Sequence, residues 1–90
     1  RALTEARVDG QRLLDATRSA LQVDAALLSK EERAGIDAAL AALEKAMAGT
    51  DHRPIKQATE ALNRATDEFA ARRMDAGIKL ALAGKKIGSL

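Results

Sequence analysis

The first 28 residues carry apolar side chains at helical spacing. One stripe recurs at steps of three and four, and a neighbouring row of leucines recurs at steps of seven. Together they predict a long amphipathic first helix over about residues 1–28. Gly10 lies inside this helix, so either a neighbouring helix passes close to it or glycine is simply tolerated there. The stripe and row comprise Leu3, Ala6, Gly10, Leu13, Leu14, Thr17, Ala20, Leu21 and Leu28.

A second helix is predicted from its starting signal. Ser29 and Glu32 have the spacing of a capping box, in which the side chain of each residue binds the backbone N–H of the other. The helix is expected over about residues 30–48, and Gly49 is expected to end it in the left-handed conformation. Its apolar positions are Ile36, Ala39, Leu40, Leu43 and Met47.

The third helix is predicted to be the longest. Thr50 or Asp51 can cap its start, Pro54 is tolerated in its first turn, and no helix-breaking residue follows until Gly84. We therefore expect this helix over about residues 51–83. Its apolar seam consists of Ile55, Ala58, Leu62, Ala65 and Phe69.

Beyond Phe69 the apolar residues of this helix move to another side. Met74, Ile78 and Leu82 recur at steps of four, past the expected ends of the other two helices. This row either packs against the first helix of the same chain or forms an exposed patch that meets a second copy or another part of a larger protein. Contact with a membrane surface is a third interpretation, because the C-terminal end is basic.

The lengths and links of these helices predict the fold class. Three helices of unequal length with short connections indicate an all-α fold, an antiparallel up-down-up three-helix bundle with a long third helix. Ala and Leu dominate the apolar residues of the 90-residue chain, which also favours helix over strand. We expect one domain over residues 1–84 and a frayed tail over residues 85–90.

The composition excludes several kinds of site. The chain has no cysteine, one histidine (His52) and one aromatic residue (Phe69). Disulfides, thiolate chemistry and a multi-histidine metal site are therefore excluded, and a stacking surface for single-stranded nucleic acid is missing. The sequence starts at Arg1 without a signal-like apolar run, so we expect a cytoplasmic fragment of a longer protein.

The candidate reactive residues each have a structural interpretation. His52 is expected on the surface of a first helical turn, and Glu31 and Glu32 occupy adjacent positions that point apart. Ser29 has no base nearby in sequence and is interpreted as a helix cap. We therefore expect no catalytic residue, no cofactor site and no metal site.

Two basic pairs, Arg72-Arg73 and Lys85-Lys86, make the C-terminal end positive. Residues 71–90 hold five basic residues against one acidic residue, whereas residues 1–70 hold ten against twelve. We interpret the pairs as a solvated helix end and expect neither a nucleic-acid nor a membrane partner. A DNA-binding protein would instead show an affinity that falls steeply with salt.

Several segments resemble the helical lid of DnaK-type (seventy-kilodalton heat-shock) chaperones. Glu5–Arg18 is similar to the family's long lid helix, Leu28–Leu40 to the next helix and Ala48–Asp51 to the following turn. Glu68–Asp75, followed by Ala81–Gly84, resembles the C-terminal end of the HscA branch, which is devoted to iron–sulfur cluster assembly.

This resemblance implies a function without chemistry in the chain itself. The chain would be the lid that closes over client peptide held by a β-sandwich subdomain, while ATP is bound and hydrolysed by a separate ATPase domain. The resemblance also implies two partners of the full-length chaperone, the iron–sulfur scaffold protein and a J-domain co-chaperone. The sequence ends Ile87–Leu90 and lacks the acidic recruiting motif of the family's general branch.

The resemblance also indicates where the lid would latch to the sandwich. Arg7 matches one of the family's latching positions, and Asp9 and Gln11 occupy neighbouring positions with different residue types. All three are latch candidates. Because Arg1 matches a position inside the family's longer helix, apolar surface near Leu3 and Val8 is expected to be bare, with weak homodimerisation as the consequence.

A second hypothesis is a stand-alone helical module for protein interaction or self-association. The two hypotheses differ in the expected genetic context. A chaperone lid requires upstream sequence for a β-rich domain and an ATPase, whereas a stand-alone module would start near Arg1.

Overall fold

Three helices and one short 3-10 turn make up the described chain. The computed structural model describes the backbone of residues 1–88 and the side chains of residues 1–83. Within these residues there is no β-strand, and the elements are α1 (Ala2–Asp24), a 3-10 turn (Ala25–Leu27), α2 (Lys30–Met47) and α3 (His52–Gly88). The predicted all-α class is confirmed.

Contacts between the helices establish the up-down-up topology. Near its start α1 contacts the end of α2, where Arg7 binds the carbonyl of Gly49, so these two helices are antiparallel. The start of α2 contacts the distal part of α3 through Glu32 and Arg72. The helices α1 and α2 both pack mainly on α3, which is therefore the central helix of the predicted three-helix bundle.

The core is an aliphatic seam shared by the three helices. Ile36, Leu43, Ile55 and Leu62 are almost completely buried, and Phe69 closes the seam at one end. Burial of each such side chain contributes roughly 1.5–3 kcal/mol. The seven-residue spacing of the α3 positions therefore identified its buried side correctly. The other core members are Leu14, Ala20, Leu21 and Leu40.

The connection between α1 and α2 departs from the predicted helix end near Leu28. Residues Ala25–Leu27 tighten into a 3-10 turn, and Leu28 is extended with φ −105° and ψ 140°. Ser29 is extended too, because a capping residue must leave the helical conformation. The predicted capping box is confirmed: Glu32 N–H donates to Ser29 Oγ over 3.1 Å, and Ser29 N–H donates to Glu32 Oε1 over 2.8 Å.

The expectation of a left-handed Gly49 is wrong. No glycine in the described backbone has a positive φ. Instead, α2 ends in a right-handed turn in which the Gly49 N–H donates to the carbonyl of Ala46 over 3.0 Å. The next helix is capped by Asp51, whose Oδ1 accepts from the Arg53 N–H over 3.0 Å.

The length of α3 sets the shape of the molecule. Its 37 residues correspond to about 55 Å of helix, and the longest dimension of the molecule is 58 Å. The helix is continuous through Gly77 and extends to Gly88, five residues beyond its predicted end at 83. The remainder of the predicted frayed tail, residues 89–90, lies outside the described residues.

At Gly10, α1 lies close to both α2 and α3. A Cβ atom at this position would lie 3.0 Å from Met47 Sδ and 3.4 Å from both Leu43 Cδ1 and Thr59 Oγ1. The close-approach interpretation of Gly10 is therefore correct. Gly35, in the middle of α2, has no such neighbour within 4 Å.

These two glycines provide a matched test of the packing. Gly35→Ala should raise the free energy of unfolding by about 0.5–1 kcal/mol, because alanine is the better helix former and meets nothing. Gly10→Ala should gain clearly less or lose stability, because its methyl group would lie 3.0 Å from Met47 Sδ and that side chain would have to move. Urea unfolding of both variants measures the difference. An equal gain from both substitutions would contradict the close approach at Gly10.

Candidate interaction surfaces

The described side chains form several exposed polar and apolar surfaces on the helices. Within residues 1–83 no three His, Asp or Glu side chains are grouped so that they could hold a metal ion. His52 is exposed in the first turn of α3, and Glu31 is exposed beside the capping box. None of the helices in the described chain combines the length and apolarity needed to cross a membrane.

The three latch candidates lie near the start of α1 in different settings. Arg7 is half-buried, and its Nη2 donates to the carbonyl oxygen of Gly49 over 2.7 Å. Asp9 and Gln11 are exposed, and Gln11 Nε2 donates to Asp15 Oδ1 over 3.0 Å. Arg7 therefore connects α1 to the turn after α2, whereas Asp9 and Gln11 lie on the exposed surface of α1. The latching role of all three stays a prediction.

The pair Arg72-Arg73 binds the connection between α1 and α2. Arg72 Nη1 donates to Glu32 Oε1 over 2.6 Å and to the carbonyl oxygen of Leu27 over 3.0 Å. Arg73 Nε donates to Asp24 Oδ2 over 2.7 Å. We call these five residues the arginine clasp. The interpretation of this pair as a merely solvated helix end is wrong, because partners some forty residues away in sequence engage both guanidinium groups.

Two carboxyl groups, one in the clasp and one at the cap of α3, have lowered pKa values because arginines donate hydrogen bonds to them. The hydrogen bond from Arg72, assisted by the backbone of Ser29, lowers the pKa of Glu32 to about 2. The hydrogen bonds from the side chain and backbone of Arg53 lower the pKa of Asp51 to about 2 as well. Both carboxylates thus cap a helix and bind an arginine while ionised.

The apolar row after Phe69 is exposed. The exposed fractions of Met74, Ile78 and Leu82 are 68%, 49% and 59%, and Leu80 is 76% exposed. The interpretation that this row packs against α1 is therefore wrong, because α1 and its 3-10 turn end beside Arg72 and Arg73. We call residues 74–83 the projecting segment.

A groove runs between α1 and α3 along one side of the bundle. It consists of three cavities of about 440, 450 and 210 Å³. Neighbouring cavities share lining residues: Asp9 and Thr59 line the first two, and Leu13, Ala16 and Asn63 line the last two. Sequence reasoning missed this groove. Its signal was the run of short side chains on α3: Thr59, Asn63, Thr66 and Ala70.

Leu3 and Val8, the two residues near the start of α1 that were expected to be exposed, differ in their exposure. Leu3 is half-buried and packs against the core. Val8 is 47% exposed and lies on the outer side of the helix. Only Val8 therefore presents substantial apolar surface at this end.

Comparison with known proteins identifies the class to which this helical chain belongs. No protein-family model matches the chain. All 90 residues are 61% identical to the chaperone protein HscA homolog of Ralstonia pickettii (strain 12J) and 59% identical to that of Ralstonia nicotianae. A third such homolog, from Azoarcus sp. (strain BH72), is 58% identical over 87 residues, or 97% of the chain.

The matched region is a small part of these relatives. It covers 14% of the length of each of the three proteins. The chain is thus similar to a helical segment of molecular chaperones. More particularly, the chain corresponds to the C-terminal region of the HscA chaperones.

The shifted pKa of Glu32 predicts how acid affects the bundle. Because the folded-state pKa is lowered from 4.5 to about 2, the contribution of Glu32 to stability is full above pH 4.5 and is lost as the pH falls toward 2. Glu32→Gln should flatten this part of the melting-temperature profile. Glu31→Gln, an exposed neighbour outside the clasp, serves as the charge-matched control.

The pKa of Asp51 is lowered from 3.8 to about 2, so its contribution to stability is lost in an overlapping pH range. Some acid dependence should therefore persist in Glu32→Gln and diminish further when Asp51→Asn is added. Identical profiles for Glu32→Gln and Glu31→Gln would contradict the assigned role of the clasp.

Proposed function

We propose that this chain is the non-catalytic lid of an HscA-like chaperone and closes over client peptide bound by a β-sandwich subdomain. The observation that supports this most directly is similarity along the whole chain to the C-terminal region of HscA chaperones. The clasped bundle is consistent with this role, since a lid must move as one body to slow the exit of a peptide.

The geometry supports a mechanical contribution by the lid. The core, the clasp and the contact between Arg7 and Gly49 hold three helices together from one end of α1 to the other. A contact made by exposed Asp9 and Gln11 would therefore position the whole bundle. A preference of a few kcal/mol for the closed state is sufficient to prolong the residence of a peptide.

The wider role follows from the same proposal. Nucleotide would change the lid's preference through the separate ATPase domain, with a J-domain co-chaperone acting on that domain. The client would be the scaffold protein on which iron–sulfur clusters are assembled. In this arrangement the 90-residue chain needs no ATP, metal or other cofactor of its own.

A stand-alone interaction module is the alternative function. The observation that favours it is the projecting segment, whose apolar side chains have no covering element in the described chain. Exposed apolar surface of this kind commonly marks a contact with another protein. The two functions differ in whether the chain acts on a peptide held by another domain.

Deletion of the entire 90-residue chain tests the lid function. In the full-length chaperone that contains it, deletion of the chain should increase the dissociation rate of bound client peptide by roughly 5- to 150-fold, equivalent to about 1–3 kcal/mol of closing preference. Basal ATP hydrolysis should persist, because the ATPase domain is separate. Stopped-flow release of a fluorescent peptide measures the rate. Unchanged dissociation after deletion would refute the lid function.

The latch can be tested with a matched pair on one helix. Gln11 and Gln22 are both exposed residues of α1, about 16 Å apart along its axis. In the same peptide-release assay, Gln11→Ala should accelerate dissociation several-fold, whereas Gln22→Ala should leave it unchanged. Equal effects of the two substitutions would remove Gln11 from the latch without affecting the lid function itself.

A further inference from the structure

The projecting segment is apolar around most of its circumference. Among residues 74–83 only Asp75 and Lys79 are charged, and they lie one turn apart on the same side. Met74 and Leu80 are more than two-thirds exposed. A helix that is apolar on nearly all sides is normally buried, so an additional element is needed to cover this one.

The groove between α1 and α3 has the shape and chemistry to receive such a helix. Along α3 the middle of the groove is lined by the short side chains of Thr59, Asn63, Thr66 and Ala70, with longer ones such as Lys56, Glu60, Phe69 and Arg73 towards its ends. Along α1 the lining includes Ala6, Ala16 and Ala20. Large apolar side chains fit against small ones when two helices approach closely. Between Lys56 and Arg73 the groove is about 26 Å long, and residues 74–88 of α3 form about 22 Å of helix.

Both features lie on one continuous side of α3. The groove-lining positions recur at steps of three and four: Lys56, Thr59, Asn63, Thr66, Ala70 and Arg73. The same spacing continues to Gly77, Leu80 and Ala81, with Met74 beside them. This side of the helix is therefore self-complementary: its first half is a groove, and its second half is an apolar ridge.

We propose that two copies of this chain form a two-fold dimer in which the projecting segment of each copy occupies the α1–α3 groove of the other. The two α3 helices then run antiparallel, and each segment adds a fourth helix to the bundle that receives it. Such an interface is isologous, so every contact is made twice across the axis. This inference is independent of the proposed lid function.

Charge favours the antiparallel orientation. At one end of the groove, near the starts of α1 and α3, the cavity is lined by three carboxylates, those of Glu5, Asp9 and Glu60, and by the single ammonium group of Lys56. The other end of the groove carries Arg73. The sequence beyond Ala83 contributes two lysines and no acidic residue. An antiparallel segment brings this basic end to the carboxylates, whereas a parallel one would bring it to Arg73.

The helix length sets the register of the pair. When the C-terminal end of α3 lies in the cavity lined by Lys56 of the second copy, Gly88 is opposite that Lys56. Ala81 then lies opposite Asn63 of the second copy, and the axis passes close to Arg72. The side chains nearest the axis include Ala70, whose small size permits two helices to approach closely.

Sedimentation equilibrium of the 90-residue chain tests the dimer, since the chain has a closed core of its own. The wild-type chain should change from monomer to dimer between micromolar and millimolar concentration. Leu80→Asp should raise the dissociation constant by at least about tenfold, because the carboxylate would be buried in the groove. Leu82→Asp is the control, since Leu82 is also exposed but points about 200° away.

Equal effects of the two substitutions, or a strict monomer at millimolar concentration, would overturn the proposal. Both residues are exposed in the single chain, so circular dichroism should show an unchanged fold in each variant.

Cysteine crosslinking tests the register, because the natural chain contains no cysteine. Asn63→Cys and Ala81→Cys replace exposed residues on the two halves of the interface. A mixture of the two variants should form a disulfide-linked heterodimer under mild oxidation, and neither variant alone should crosslink efficiently. Preferential crosslinking of Asn63→Cys with itself would overturn the proposed antiparallel register.

Discussion

The bundle depends on the arginine clasp at the point where α3 leaves its two partners. Burial of the aliphatic seam supplies most of the stability, and the clasp adds directional contacts to this apolar packing. Arg72 fixes the register because it binds both the carbonyl of Leu27 and the capping carboxylate of Glu32. One side chain thus joins the end of the 3-10 turn, the start of α2 and the distal part of α3.

Local signals in the sequence were sufficient to predict the helices and their order. The capping box at Ser29 and the heptad spacing of α3 depend on neighbours within seven residues, and both are present in the structure. The end of α1 and the conformation of the turn after α2 were predicted less well, because they depend on tertiary contacts. The turn at Gly49 stays right-handed, and its carbonyl binds Arg7, a residue 42 positions away.

The candidate surfaces were also predicted incompletely, because they too depend on tertiary contacts. A pair such as Arg72-Arg73 looks like a solvated basic end until its partners are known, and these lie 40 to 49 residues away in sequence. The exposure of Met74 also depends on where α1 ends, which periodicity alone placed four residues too late. The groove was missed because it is a gap between two helices, and the run of short side chains on α3 indicates it only once the position of α1 is known.

The two proposed surfaces meet at Asp9, and this constrains how they can be used together. Gln11 and Asp15 lie on one side of α1, away from the groove, whereas Asp9 lines two of its cavities. A helix seated in the groove would cover Asp9 and leave Gln11 free. A latch that relies on Gln11 is therefore compatible with a dimer, whereas a latch that needs Asp9 would compete with it. Closing of the lid and self-association would then be coupled through one carboxylate.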